Sequence, residues 1–264
     1  MFKTLLLLFT CLFTLTYTVN AQSWEIGATV GGSGYIGDFN PNNPLKFTDP
    51  LYGAFLKRNM GTYFSAKLAI YHGTISGSDA SSSNAQMQQR NLSFFTNLDE
   101  ISLTGELNLF SYMPLIGENT YTPYIFAGIG TVSYAPMATY KNQDYDLRTI
   151  MTEGQTKPYN QSAIVIPIGA GIKYNFTGQW NMILDLGYRI TNTGYLDDVY
   201  GPYPDKSTLT TDIARALSDR SGETTANYIG AAGSQRGNYR HDTYMFLGFT
   251  ISYTFLSKKC YSFN

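Results

Sequence analysis

The sequence predicts an all-β fold, an eight-stranded antiparallel transmembrane barrel of the outer-membrane kind with long extracellular loops. Three observations carry the prediction. The chain opens on an export signal, eight later segments alternate with the period of two that belongs to strands, and the connections between them are long and short in strict turn.

The export signal occupies 1–21. Lys3 supplies a basic start, Leu5 to about Leu15 an apolar centre, and Val19-Asn20-Ala21 a small-residue cleavage site, which leaves 22–256 for the barrel and 257–264 for a periplasmic tail. No later apolar run approaches the roughly 18 residues of a helical span, so a membrane protein built on this chain must close its sheet to satisfy the strand edges. The chain has 22 Tyr, 16 Phe and 25 Gly but only 14% charged residues, a profile that suits strands. Its net charge of −1 gives no footprint for nucleic acid. With the signal removed, Cys260 is the one cysteine left, idle or available to cross-link a partner.

Strand one, Trp24 to Ser33, sets Trp24, Ile26, Ala28 and Val30 against Glu25, Gly27, Thr29 and Gly31, and a turn-rich loop from Tyr35 to Pro44 follows. Strand two, Leu51 to Lys57, is the shortest and places Lys57 inside if Tyr52, Ala54 and Leu56 face lipid. Strand three covers Tyr63 to His72, and the polar stretch 73–97 reads as a solvated loop. Strand four, Asp99 to Phe110, turns through Met113 to Thr120 into strand five, Tyr121 to Tyr134. A second long loop covers 135–161. Strands six and seven form the hairpin Ser162 to Ile190, in which isoleucines, leucines and aromatics alternate with Gly, Pro, Lys173, Asp185 and Arg189 around Thr177-Gly178-Gln179. The longest loop, 192–241, carries a helical turn at Thr211 to Ser218 with Thr211 or Asp212 as its cap. Strand eight runs from Tyr244 to Phe255. With the N-terminus in the periplasm, every long loop is extracellular and both termini lie inside.

A barrel of eight strands is filled by its own side chains. The inward positions hold Glu25, Glu106 and Asp185 with Lys67, Lys173 and Arg189, and a buried charge must be paired, so an interior salt-bridge network that plugs the barrel is expected. The sharper alternative is an ion or proton path along the same charges. Catalysis finds no support: His72 and His241 are the only histidines, and neither has a nucleophile at a telling spacing. Asp197 and Asp198, beside Tyr195 in the longest loop, could hold calcium together with Asp205, though a solvated turn explains them as well. Asn91-Leu-Ser and Asn160-Gln-Ser match a glycan acceptor pattern too short to weigh.

Several stretches in this order resemble one family: Tyr35-Ile-Gly-Asp-Phe-Asn-Pro41, Gln89-Arg-Asn-Leu-Ser-Phe94, Tyr121-Thr-Pro-Tyr-Ile-Phe-Ala-Gly-Ile-Gly130, Thr152-Glu-Gly-Gln155, Ile166-Pro-Ile-Gly-Ala-Gly-Ile-Lys-Tyr-Asn175, Tyr195-Leu-Asp-Asp-Val199 and Arg236-Gly-Asn238. They are similar to a DUF6089-like outer-membrane barrel family of Bacteroidota whose best-known member is PorG, of the type IX secretion and gliding machinery. Met151 stands where the family pattern would have glycine, and the tail beyond Phe255 is longer than a minimal barrel end. The resemblance implies a non-enzymatic outer-membrane anchor, without cofactor or small-molecule substrate, that contacts lipid and a periplasmic ring of subunits resembling PorK and PorN. The surfaces for such docking would be 58–61, 113–119, 177–179 and 256–264. A surface adhesin, or a narrow channel for small apolar solutes, is the alternative reading of the same barrel.

Overall fold

The computed structural model describes residues 23–256 except 41, 42, 44, 115–118, 226, 239 and 240. The export signal at 1–21, the tail at 257–264 with Cys260, and part of the 113–119 surface lie outside the described residues.

Nine strands form one antiparallel sheet: β1 Ser23–Ile36, β2 Asp49–Asn59, β3 Phe64–Ser78, β4 Ser93–Asn108, β5 Tyr121–Tyr140, β6 Gln143–Asp146, β7 Ser162–Thr177, β8 Trp180–Thr191 and β9 Thr243–Leu256. Eight of them form the wall in the order β4-β3-β2-β1-β9-β8-β7-β5, and the pairing of β4 with β5 closes it. The short β6 is the addition. It pairs with the upper end of β5, Met137 to Tyr140, beyond the point where β7 has begun at Ser162 opposite Ser133. The eight-stranded closed barrel expected from the alternation is therefore the fold.

Burial alternates along each strand, and the apolar row is the exposed one. In β9 the outward Phe249, Ile251 and Phe255 are exposed while Tyr244, Phe246, Thr250 and Ser252 are buried. In β7 the outward Ile164, Ile166, Ile168 and Ile172 are exposed while Ala163, Val165 and Lys173 are buried. Water would penalise such a surface and hydrocarbon would not, so this outside is a lipid face. From Phe255 up to Leu247, the exposed row of β9, a strand tilted as barrel strands are rises about 20 Å, close to the roughly 25 Å of the apolar band of outer-membrane barrels. Aromatics crowd the short-turn end of the band: Trp24, Phe64, Tyr121, Tyr174, Phe176, Trp180 and Phe255 are all exposed there. β2 takes the register that puts Lys57 inside, paired across from Glu25 on β1 and Lys67 on β3.

The predicted loops need correction. β3 and β4 continue as a ladder through Ser78 and Ser93, and β5 through Tyr140, so much of 73–97 and the start of 135–161 are wall. Thr74, Ser76, Thr139 and their neighbours are polar because this part of the sheet rises clear of lipid; the alternation persists, with Ile75, Phe94 and Leu98 buried inside. Three short helices lie between strands on the same side: α1 Ala85–Arg90, α2 Leu147–Ile150 and α3 Asp212–Ser218. The α3 cap is Thr211, whose side chain accepts from the Ala214 amide, as its position predicts.

Candidate functional site

Inside the wall the strands carry four acids, Glu25, Glu100, Glu106 and Asp185, and four bases, Lys57, Lys67, Lys173 and Arg189, all buried. The formal charges cancel. Glu106 is the hub: Lys173 Nζ lies 2.6 Å from Oε2, Lys57 Nζ 3.6 Å from the same oxygen, and Lys67 Nζ 3.0 Å from Oε1. Lys57 also reaches Glu25 at 2.9 Å, and Ser252 donates to Glu25. Nearer the loops Arg189 pairs with Glu100 at 3.3 Å, and Tyr244 Oη donates to the same Glu100 oxygen at 2.7 Å. Asp185 stands apart from these pairs, accepting from Tyr124 Oη at 3.1 Å. Glu100 escaped the sequence reading, although counting back by twos from Glu106 through Thr104 and Ser102 reaches it.

Buried Phe55, Tyr71, Tyr124, Phe126, Tyr244 and Phe246 occupy the remaining space. Lys173 sits 4.3 Å from the Tyr124 ring centroid and Arg189 4.2 Å from that of Phe246, so the cations also use ring faces that water cannot reach. At the short-turn end Tyr112 folds back across the mouth, donating to Asn181 at 2.8 Å, with Met113 buried beside it.

The other mouth is covered by the loops, and here five of the seven stretches that carried the family resemblance meet, the other two lying in β5 and β7. Arg236, buried, donates to Glu153 at 2.9 Å, to the Asp198 carbonyl at 2.6 Å and to the Ser218 carbonyl at 3.1 Å. Glu153 in turn accepts from the amides of Tyr200 and Gly201. Arg90 grips Asp79 through two nitrogens, at 2.7 and 2.8 Å, and reaches the carbonyls of Arg236 and Asp38. The Asn238 amide donates to Asp38 at 2.7 Å. One guanidinium thus ties the β5–β7 connection to the longest loop, and the other ties α1 to both the first loop and the longest. Leu92, Phe94, Leu147, Leu196, Val199 and Leu217 form a core beneath these polar clasps, continuous with the barrel interior. Beside it Tyr134, Tyr159 and Tyr195 stack in a row, the last two with centroids 4.2 Å apart.

The proposed calcium trio does not assemble. Asp205 is exposed and caps a turn through the Ser207 amide, while Asp197 and Asp198 are buried and diverge. Asp198 accepts from Thr152 and Tyr159 beside Arg236. Asp197 joins Asp38 and Asp242, one carboxylate oxygen of each lying within 4.8 Å of the others, and among the described residues these three have the geometry that could hold a metal ion. Tyr35 donates to Asp197, and the Asp38 amide donates to Tyr35 Oη. Burial first, and the neighbouring carboxylates second, push Asp197 and Asp242 well above the usual carboxylate range, so this group can hold protons in place of a cation. His72 lies on the outer wall, exposed and 2.8 Å from Asp99, with its side chain in neither cluster.

A family model described as a domain of unknown function, DUF6089, matches residues 3–213. No curated protein sequence matches the chain. Solved structures similar to it include the N-terminal barrel domain of Pseudomonas aeruginosa OprF, at 15% identity and TM-score 0.38, covering 88% of this chain and 97% of that one. Neisserial surface protein A is similar at 7% identity and TM-score 0.44 with the same coverage, and OprG of P. aeruginosa at 9% and 0.42, covering 90% and 97%.

Proposed function

The chain belongs to the DUF6089 family, and from that membership and its filled lumen we propose a non-enzymatic outer-membrane anchor that organises the type IX secretion and gliding machinery. The observation that carries this reading is the interior itself. Four acids and four bases neutralise one another among packed aromatics, Tyr112 closes one mouth and the clasped loops close the other. A wall so filled cannot conduct an unfolded chain, let alone a folded cargo, so its contribution must be made at its ends.

The short-turn end faces the periplasm in this reading, with both termini. Turn 58–61 offers Met60, exposed, beside Arg58, which covers the Trp24 ring at 5.4 Å, and the next turn offers exposed Leu109 and Phe110. An amphipathic rim of this kind suits a ring of subunits resembling PorK and PorN lying against the membrane. The test is affinity purification of the tagged barrel from detergent-solubilised outer membranes of the bacterium that makes it. Ring subunits should co-purify, and charge reversal at Arg58 should weaken their recovery. A barrel that emerges alone, from a strain whose deletion secretes normally, would remove the proposal.

A second reading, a surface binding barrel, draws support from the loops, whose buried clasps hold a shaped surface at the opposite end. Deletion that spares secretion but alters surface binding would favour it. The narrow apolar channel receives no such support, because the lumen is lined with paired charge.

A further inference from the structure

The strand register threads a row of paired, lipid-facing residues around the wall. From Trp24 it passes Arg58, Ala66, Gly105 and Ala127, and after a full circuit it returns to β1 at Gly34, ten residues nearer the loop end. Each step to the next strand therefore climbs, by about 3 Å for strands tilted as barrel strands are. Ala66, Gly105 and Ala127 sit side by side on β3, β4 and β5, and their shortness leaves a furrow in the outer surface. Phe64, Leu107 and Ile125 wall it on the short-turn side and Leu68, Leu103 and Ile129 on the loop side, all six exposed, while Ala66 and Gly105 are half-buried between them. No other outward row of described residues places Gly or Ala on three neighbouring strands. At the foot of the furrow stands Arg58, exposed, its guanidinium over the Trp24 ring at 5.4 Å. It is the only Lys or Arg on the outward beat of the wall strands among the described residues.

We propose that this furrow seats an anionic diacyl phospholipid, its phosphate on Arg58 and one acyl chain running up the floor of Ala66, Gly105 and Ala127. From Arg58 to Ala127 the row climbs about 9 Å, most of one leaflet's share of a band roughly 25 Å tall. A chain lying there meets apolar atoms on three sides, and those added contacts hold it where a smooth wall would let it exchange. The foot of the furrow is at headgroup level, where the amphipathic Trp24 ring settles and guanidinium donors can meet phosphate oxygens. A zwitterionic lipid carries the same phosphate beside a cation of its own, so net charge decides between the two. A soluble ligand would have to leave water for hydrocarbon to reach the furrow, which is why a lipid is its occupant. In the orientation proposed above the site faces the inner leaflet, but it needs neither that orientation nor the ring subunits.

The chain's two tryptophans make the test local. Trp24 and Trp180 are both exposed at the short-turn edge, and among the described residues only Trp24 has a cation over its ring. The full-length barrel is reconstituted in bilayers of phosphatidylglycerol and phosphatidylcholine, with one lipid or the other brominated near the glycerol. Quenching is read at Trp24 in a Trp180→Phe variant and at Trp180 in a Trp24→Phe variant. Trp24 should report phosphatidylglycerol over phosphatidylcholine by about fivefold, and Trp180 should report no preference. Arg58→Gln should abolish the preference at Trp24. A β-carbon on Gly105 would meet the Phe64 ring at 3.5 Å, an ordinary contact, so Gly105→Leu should fold, fill the furrow and roughly halve the preference without touching the rim turns. Excess inorganic phosphate should leave it unchanged. The proposal falls if the two tryptophans report alike, if either variant keeps the full preference, or if inorganic phosphate removes it. It falls as well if cross-linking in the bilayers shows paired barrels that Gly105→Leu separates, which would assign the furrow to a second copy. No ring subunit is present in these bilayers, so ring docking stands or falls separately on its co-purification.

Discussion

Met151 closes α2 with φ of 59° and ψ of 56°, the left-handed conformation in which a residue with a side chain loses about 1 kcal/mol against glycine. That is the physical reason a glycine is the expected occupant, and it places the sequence departure on a strained backbone one residue before Thr152 and the clasp. Met151→Gly should therefore raise the thermal midpoint of the loop cap, by the equivalent of up to about 1 kcal/mol, and Met151→Val should lower it. The tyrosine row of Tyr134, Tyr159 and Tyr195 gives a near-ultraviolet dichroism signal that follows the cap separately from the barrel. If the glycine variant melts earlier, the half-buried methionine contributes more by packing than its backbone costs. Asp198, which accepts from the hydroxyl of neighbouring Thr152, is pushed up to about 6, chiefly by burial and against the opposing pull of Arg236. Its folded value lies above the unfolded one, so between about pH 4 and pH 6 the native cap holds more protons than the unfolded chain, and stability falls as pH rises through that window. The loss is on the order of 2 kcal/mol, and Asp197 and Asp242 shift in the same direction. The cap should melt at a higher temperature at pH 4.5 than at pH 7.5, and Asp198→Asn should narrow the gap. Equal midpoints in the parent protein would contradict the assignment.

At the scale of the strand, which face meets lipid follows from alternation alone, because shifting by one residue would bring Lys173 or Arg189 to the hydrocarbon and leave isoleucines among ions. Leu184 lies near the middle of the apolar row of β8, whereas Ile164 lies near its loop-end edge on β7. Leu184→Arg should cost about 2–4 kcal/mol in a lipid-refolding equilibrium and Ile164→Arg about 0–1. Similar costs at the two depths would mean the band has been placed wrongly. Strand ends were legible only where lipid enforces a contrast between faces. Above the band, Thr74, Ser76 and Ser78 read as loop because their outward neighbour is water, yet Ile75 and Leu98 keep the same inward beat. The continuation of β3 and β4 was thus present in the periodicity and hidden by the polarity. The four residues of β6 are too few to show such a pattern, since they exist by pairing with β5 and only Tyr145 among them packs against the core.

For the whole molecule, the difference between barrel and cap is the difference between periodic and non-periodic information. Six of the interior charges could be named in advance because each falls on an inward beat, Lys57 could be named on the condition of the β2 register, and Glu100 could have been. The cap could not be assembled that way: Asp38, Asp79, Arg90, Glu153 and Arg236 come from four separate connections, and only folding of the loops onto the core of Leu196 and Leu217 brings them within bonding distance. Polar stretches taken as solvated therefore proved to contain buried aspartates, Asp197 and Asp198 among them. Closure at both ends and charge balance between them make one demand on transport. An ion entering the lumen must displace a lysine or arginine from a partner it already holds without water, at a cost of several kcal/mol, and must then pass the Tyr112 side chain. Purified barrel in planar bilayers should show no conductance steps above the lipid background, and Tyr112→Ala alone should not open it, because the Glu106 cluster remains above. Glu106→Ala combined with Tyr112→Ala removes the hub that holds three lysines together and the stopper below it, and should give small anion-selective events. Steady conductance in the parent protein would show that the paired charges yield to a passing ion, and the barrel would have to be reclassified as a channel.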